Sequence, residues 1–450
     1  VPDDAPSLKP TLGLLSATLL IVGSSIGSGI FRLPSTMAAQ VGSPWLLIGV
    51  WVLCGVLSLT GALTFAEMGG MFPRAGGQYV FLKQALGGRV AFLYGWTFFW
   101  VIQTGIIAAV ATAFAGFLAV LLPLSAFQQK LVAMGVIGLL SLVNYVGVKY
   151  GGAVSNVFTT LKVAALAALV LLGFALARGA GNYAMAPIPQ TAGLVGSIGL
   201  AMSAAFFAYD GWNQSAAVAS EIKEPQRNVP LSMLFGVLGV MVVYVLANLA
   251  YVYVLPFHDI VATQTLASDV ARVLLGPVGA TLITIAVLVS TFGTVNAYVL
   301  SGPRVYYAMA KDGLSYPGLA SVSKRFATPD FAILVQAEWA MLLVLTGSYN
   351  SLVNFSVFAI LLFYGIATIG FFLLRRREPH TPRPYRTVLY PVVPLVFLAT
   401  CVFVVVNTLV SDFWDAFWGL VLILTGVPAL FLVEWANRRR TQADGEVAPA

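Results

Sequence analysis

Apolar residues run along this chain in long stretches separated by short polar loops. A helix that crosses a bilayer needs about 20 mostly apolar residues. Twelve stretches meet that length: 12–40, 44–70, 88–121, 128–148, 151–177, 193–219, 230–255, 276–309, 330–347, 352–374, 388–410 and 413–434. The pattern predicts an all-α integral membrane protein of about 12 transmembrane helices. The loops are too short to hold an inserted soluble domain. Two of them are expected to carry structure of their own. The amphipathic stretch 77–86 (GQYVFLKQAL) predicts a short interfacial helix on the cytoplasmic side, and 256–275 is long enough for an external helix.

Two stretches are interrupted at their centres. The first reads GSSIGSGIF over 23–31, and the sixth reads FAYDGWN over 207–213. They lie five spans apart, an odd number, so two similar five-span halves would have opposite orientations. Broken helices at matching places in two halves point to an inverted-repeat transporter with its site at mid-membrane. Spans eleven and twelve then stand outside the repeat. At the first break, glycines let the backbone open. The freed amides begin the outer half-helix, whose N–H groups and dipole favour an anion such as a carboxylate. Ser24, Ser25 and Ser28 add hydroxyls there. Close helix packing through small residues is the competing reading. At the second break, opened carbonyls suit an ammonium, and Asp210 is a carboxylate at mid-span, where a charge is expensive and marks function by default. It is expected to hold the substrate's ammonium or a proton, or to serve as a structural partner. Phe207, Tyr209 and Trp212 are candidate gate or pocket residues. Gln103 and Asn296 are polar at depth, facing the pocket or joining helices.

Composition sharpens the solvent. The chain of 450 residues is 59% apolar and 9% charged, with mean hydropathy +0.90, against roughly 25% charged in soluble domains. So few charges cannot cover a globule of this size, and lipid must be the main solvent. The net charge of +7 raises the question of nucleic acid, which the placement of the charges answers. Lys130, Arg178 and Arg272 fall on one side, Arg32, Lys162 and Arg304 within apolar stretches, and the other eighteen of the 24 Lys and Arg in tails and alternate loops on the opposite side. That asymmetry is the positive-inside rule and puts both termini in the cytoplasm. The N-terminal VPDDAPSLKP has no signal-peptide pattern, so the first stretch is expected to be a retained span. Cys54 and Cys401 both sit in apolar stretches and read as small buried hydrophobes rather than a disulfide or metal pair.

Lys162 lies in the fifth stretch (FTTLKVAALAALVLLG), too deep to snorkel easily. A buried ammonium there can tie helices by binding free carbonyls at a break, or trade protons and take part in coupling. Glu67 and Arg74 near the end of the second stretch read as a helix-end cap and loop contact, and Arg32 as a residue of the outer vestibule. An intramembrane aspartyl enzyme would need two carboxylates sharing a site, and Glu67 and Glu338 lack a matching motif. His258 and His380 fall in loops, and no Walker A sequence is present. No catalytic residue, cofactor or metal is expected.

Four motifs occur in order: GSSIGSGIF, FAEMGGMFPRAGGQYVFL over 65–82, FAYDGWNQSAAVASEIKEPQRNVP over 207–230, and GTVNAYVLSGPRVYYAMAKDGL over 293–314. In these the chain resembles the amino acid–polyamine–organocation superfamily and, within it, prokaryotic members of the L-type amino acid transporters. The resemblance implies a LeuT-like fold working by alternating access. A first repeat would span 12–177 and a second 178–375, followed by spans eleven and twelve over 376–434, with cytoplasmic tails 1–11 and 435–450. It implies that Gly27, Ser28 and Gly29 receive the substrate carboxylate, that Ser25 and Phe207 offer carbonyls to the ammonium, and that Phe207 gates. Lys162 matches a family lysine that stands in for sodium. Asp210 falls where several relatives have glycine or serine, which strengthens the amino-group contact or extends tolerance to cationic substrates. The expected function is sodium-independent exchange of small to mid-sized neutral L-amino acids in the cell membrane. Proton symport and cationic amino acid transport are the alternatives, and a channel or nutrient receptor a more distant one. Animal members bond a heavy chain through a cysteine between spans three and four. The loop 123–129 has none, so no disulfide-linked heavy chain is expected.

Overall fold

The computed structural model of the chain describes residues 10–177, 193–263, 265–347, 349–411 and 413–445. These residues are helical apart from loops and one isolated β-bridge between Leu12 and Ile222. In chain order the α-helices are α1 (Leu14–Ser25), α2 (Gly29–Val41), α3 (Pro44–Met71), α4 (Gln78–Leu86), α5 (Gly88–Thr97), α6 (Thr104–Leu121), α7 (Ala126–Val146), α8 (Val148–Leu176) and α9 (Gly193–Tyr209). They continue with α10 (Gln214–Ala217), α11 (Pro225–Val254), α12 (Phe257–Ala262), α13 (Leu266–Lys311), α14 (Asp330–Thr346), α15 (Tyr349–Arg377), α16 (Val392–Ser411) and α17 (Phe413–Gly445).

Nine helical segments among the described residues are long and apolar enough to cross a membrane, and α1 with α2, bent by 41°, pass that test together as a tenth. The two other predicted stretches coincide with the 17-residue helices α9 and α14. Starts and stops follow local chemistry. Ser125 and Gln128 form a reciprocal capping box at the start of α7, and Arg375, Arg376 and Arg377 close α15. Rows of exposed apolar side chains, such as Leu139 and Leu142 on α7 or Val402 and Val406 on α16, supply the lipid-facing surface.

Three features differ from the sequence pattern. The third stretch is not a uniform α-helix: between α5 and α6, Phe98–Gln103 forms a π-helical turn. Such insertions often mark functional positions. The helix at 77–86 is largely buried rather than lying at the surface, with Gln78, Tyr79, Val80, Phe81, Leu82 and Ala85 all inside. In α4, Tyr79 donates to Asp312 at 2.8 Å; burial and that bond keep its hydroxyl protonated well above the usual phenol range. The C-terminal helix runs on to Gly445, through the first part of the expected tail. The segment 256–275 forms α12 and the start of α13, which bends at Gly276 (φ 67°), where the predicted eighth span begins.

The centre of the molecule is where α1, α2 and α9 meet α11, α13 and α8. Both cysteines are buried and free. The N-terminal segment is pinned beneath this centre: the amides of Thr11 and Leu12 both donate to the Glu221 carbonyl at 2.8 Å.

Candidate functional site: two broken helices and the groups that join them

The first break occupies Ile26–Gly27–Ser28, between α1 and α2. Glycine is required here for approach as well as for opening. A Cβ on Gly29 would stand 2.8 Å from the Ala208 Cβ and 3.1 Å from its Cα, and one on Gly27 would stand 3.0 Å from the Thr294 methyl. Ser28 and Gly29 begin α2, where amides have no intrahelical acceptor. The Ser28 hydroxyl lies 3.2 Å from that of Tyr349. The Ser24 hydroxyl turns back onto its own helix, donating to the Leu20 carbonyl at 2.8 Å.

The second break follows Tyr209. Gly211 has φ +105°, a conformation that L side chains rarely adopt, and a Cβ there would stand 2.7 Å from the Ser24 Cβ and 3.1 Å from backbone atoms of Ser24 and Ser25. The two breaks are therefore in backbone contact. Gly211→Ala combines positive-φ strain of about 1–2 kcal/mol with overpacking of about 1–3 kcal/mol. The expected outcome is a thermal midpoint several degrees lower in detergent, with loss of transport; an unchanged midpoint contradicts this contact.

Three polar side chains tie the breaks to the scaffold. Tyr244 of α11 places its hydroxyl 2.6 Å from the Ser25 carbonyl and 3.0 Å from the Ala208 carbonyl, one on each broken helix. The Ser25 carbonyl also accepts the Gly27 amide at 2.8 Å. Lys162 of α8 is buried, with its ammonium 2.6 Å from both the Gly23 and Ile26 carbonyls, 2.9 Å from the Thr294 hydroxyl and 3.4 Å from the Ser290 carbonyl. It thus sits on the last carbonyls of α1, where the helix leaves acceptors unpaired and the dipole favours a cation. The Thr294 and Ser290 hydroxyls donate to the same carbonyls.

The third tie is Asp210. Its two oxygens accept hydroxyls from Tyr298 of α13 at 3.1 Å and Tyr364 of α15 at 2.8 Å. Its side-chain partners among the described residues are thus two phenols and not a second carboxylate, unlike an aspartyl dyad. Beside it lies a narrow cavity of about 20 Å³ lined by Gln78, Gln103, Asn213, Gln214 and several aromatic rings. The Gln103 amide donates to the Tyr298 carbonyl at 2.6 Å, while its buried oxygen has no hydrogen-bond partner among the described residues.

The remaining sequence candidates divide. Phe207 packs edge-on against Tyr349 at 6.4 Å, over the first break. Tyr209 turns away from the break, donating to the Trp51 carbonyl at 3.0 Å and packing on Tyr244. Trp212 lies among Phe65, Tyr364 and Phe397. The Asn296 oxygen accepts from Asn144 at 2.8 Å, joining α13 to α7. Glu67 bonds the guanidinium groups of Arg375 and Arg383 and the Thr387 amide, in loop contact as expected.

Polar contacts also join the walls of the cavity beside Asp210. Gln78 donates to the Phe363 carbonyl at 2.9 Å and accepts from Asn213 at 3.2 Å. The fully buried Arg304–Glu221 pair, at 2.8 Å, fixes the segment after the second break to α13. Sequence reasoning did not single out Tyr244, Tyr298, Tyr349, Tyr364, Ser290 or Thr294. Their available signal is a hydroxyl at depth in a span, and Thr294 and Tyr298 lie within a motif already noticed.

A family model for amino acid permeases matches residues 12–427. The serine/threonine exchanger SteT of Bacillus subtilis (strain 168) is 33% identical over 427 residues, covering 94% of this chain and 97% of the relative. The b(0,+)-type amino acid transporter 1 of Mus musculus is 32% identical over 444 residues, 96% of this chain and 90% of the relative. The large neutral amino acids transporter small subunit 2 of Homo sapiens is 33% identical over 450 residues, 97% and 83% of the two chains. Two touching helix breaks within a multi-pass helical membrane protein, matched over nearly its whole length, agree on one conclusion: the chain belongs to the amino acid permease family of the amino acid–polyamine–organocation superfamily, which comprises membrane transporters and not enzymes.

Proposed function

We propose that this protein is a sodium-independent amino acid exchanger that works by alternating access, with small to mid-sized neutral L-amino acids as substrates. The observation that carries the reading is the seat of Lys162. Its ammonium occupies the Gly23 and Ile26 carbonyls at the end of α1, leaving no open carbonyl cage there for a sodium ion. The substrate carboxylate is assigned to the amides of Gly27, Ser28 and Gly29 and the Ser28 hydroxyl. The ammonium is assigned to the Ser25 and Phe207 carbonyls, with Asp210 nearby. In the present arrangement Tyr244 and the Gly27 amide both hold the Ser25 carbonyl, so Gly27 must turn its amide and Tyr244 must yield or share that carbonyl when substrate binds. Phe207 closes the site on one side, and Gln103 helps line the chamber on the other.

The reading includes twelve spans, an inverted pair of five-helix repeats over 12–177 and 178–375, and spans eleven and twelve over 376–434. Both tails lie in the cytoplasm and the cell membrane is the site of action. The similarity to a bacterial exchanger along 94% of the chain, and the loop 123–129 without cysteine, support a carrier without a disulfide-linked heavy chain. Counterflow tests the function. Proteoliposomes preloaded with unlabelled amino acid in choline medium should take up labelled amino acid several-fold faster than empty ones. Lack of stimulation by any of the twenty amino acids would sink the exchanger reading, and a strict sodium requirement would sink the role given to Lys162.

A second reading, proton symport or carriage of cationic amino acids, is favoured by Asp210 facing a chamber with an unpaired amide oxygen. It requires uptake driven by an imposed pH gradient, or counterflow driven by arginine.

A further inference from the structure

Arg32 is the one ionic side chain of α2, three residues beyond Gly29 and directly after the motif of the first break. No carboxylate among the described residues pairs with it. Its guanidinium instead lies 4.6 Å above the ring centre of Tyr349. Tyr349 in turn contacts two parts of the proposed substrate seat: its hydroxyl is 3.2 Å from that of Ser28, and its ring meets Phe207 edge-on. Arg32 also lines a cavity of about 280 Å³, with Ala113, Gly116, Phe117, Gln129 and Thr265 among its walls. It is the only charged residue of that lining among the described residues. The cavity is on the side of the break that the proposed topology places outside.

We propose that Arg32 is an outer docking point for the carboxylate of an arriving amino acid, and that its hold on Tyr349 latches the site until that carboxylate comes. A guanidinium matches a carboxylate with two parallel N–H donors, a stronger and more directional partner than an aromatic face. When the carboxylate takes the guanidinium, Tyr349 loses the cation above its ring. Its hydroxyl is then free to leave Ser28, and the carboxylate passes one helical turn along α2 to the Ser28 and Gly29 amides. A single positive charge at the head of a low-dielectric funnel also raises the local concentration of the anionic end of the substrate. This inference rests on the proposed carrier function and its orientation.

The test compares right-side-out and inverted membrane vesicles of cells making the full chain. Labelled L-serine is the probe, or labelled L-arginine where serine gives no counterflow. In right-side-out vesicles at low ionic strength, Arg32→Gln should raise KM by about tenfold. In inverted vesicles it should change KM less than about twofold, because the inner approach does not pass Arg32. Arg32→Lys should recover part of the outer KM by restoring charge. Added salt should raise the wild-type outer KM and leave that of Arg32→Gln unchanged, since screening acts only on the charge that was removed. An outer KM unmoved by Arg32→Gln overturns the proposal while leaving the carrier reading intact. Equal changes in both orientations overturn it in favour of a structural role, and a change confined to inverted vesicles overturns its placement outside. Wild-type vesicles that exchange neither these probes nor any other of the twenty amino acids overturn the carrier reading and the docking role together.

Discussion

Lys162→Met is expected to slow exchange about 100-fold while leaving the protein folded and inserted. Methionine keeps the unbranched shape and most of the length of the side chain and removes the charge. The Gly23 and Ile26 carbonyls then lose the ammonium that stands 2.6 Å from each. A buried acceptor deprived of its partner costs about 1–3 kcal/mol. The Thr294 and Ser290 hydroxyls still reach these carbonyls, so the two losses together fall nearer 3 kcal/mol than 6. Since 1.4 kcal/mol is tenfold, about 3 kcal/mol corresponds to about 100-fold in the population of a correctly opened break. Initial rates of counterflow, normalised to protein that elutes as a single species in detergent, check this. A rate within twofold of wild type contradicts the seat assigned to the ammonium. Sodium that restores part of the rate in Lys162→Met, and has no effect on wild type, is the further result expected if the ammonium stands in for that ion.

Much of this arrangement is legible before any coordinate. Length and hydropathy locate the spans because lipid permits only helices whose backbone bonds close within the segment. The same logic makes GSSIGSGIF and FAYDGWN conspicuous: glycine and polar residues are costly at mid-span unless the backbone opens for a reason. Lys162 and Asp210 stand out for the same cause, as charges in an apolar run.

What the sequence does not carry is direction. Tyr209, Trp212 and Asn296 share the depth and polarity of a pocket residue, yet Tyr209 bonds Trp51, Trp212 packs in an aromatic cluster, and Asn296 bonds Asn144. Which face a side chain takes depends on the rotation of its helix, and a chain buried on several sides has no polar stripe to report that rotation. Tyr244, Tyr298 and Tyr364 are hidden for the converse reason. A tyrosine in a span reads as packing until its hydroxyl is seen to meet a break or a carboxylate. The π-helical turn at Phe98–Gln103 is likewise silent in composition, although its last residue, Gln103, reaches the chamber.

Gly29→Val is expected to weaken substrate binding by about 100-fold or more. An added Cβ would stand 2.8 Å from the Ala208 side chain and 3.1 Å from its Cα, and valine carries two further methyl groups. Neither α2 nor α9 can yield without parting the two breaks, so α2 must shift and carry its first amides with it. Each hydrogen bond from an amide to a carboxylate contributes about 1.5–3 kcal/mol, and losing two accounts for the effect. Gly239→Val is the matched control, because a Cβ at that position of α11 meets nothing within 4 Å. The direct measurement is equilibrium binding of labelled amino acid to purified wild type, Gly29→Val and Gly239→Val in sodium-free buffer. Saturable binding to wild type and Gly239→Val, with Kd raised about 100-fold or more in a folded Gly29→Val, is the expected result. Undiminished affinity in Gly29→Val would contradict a substrate site between the two broken helices.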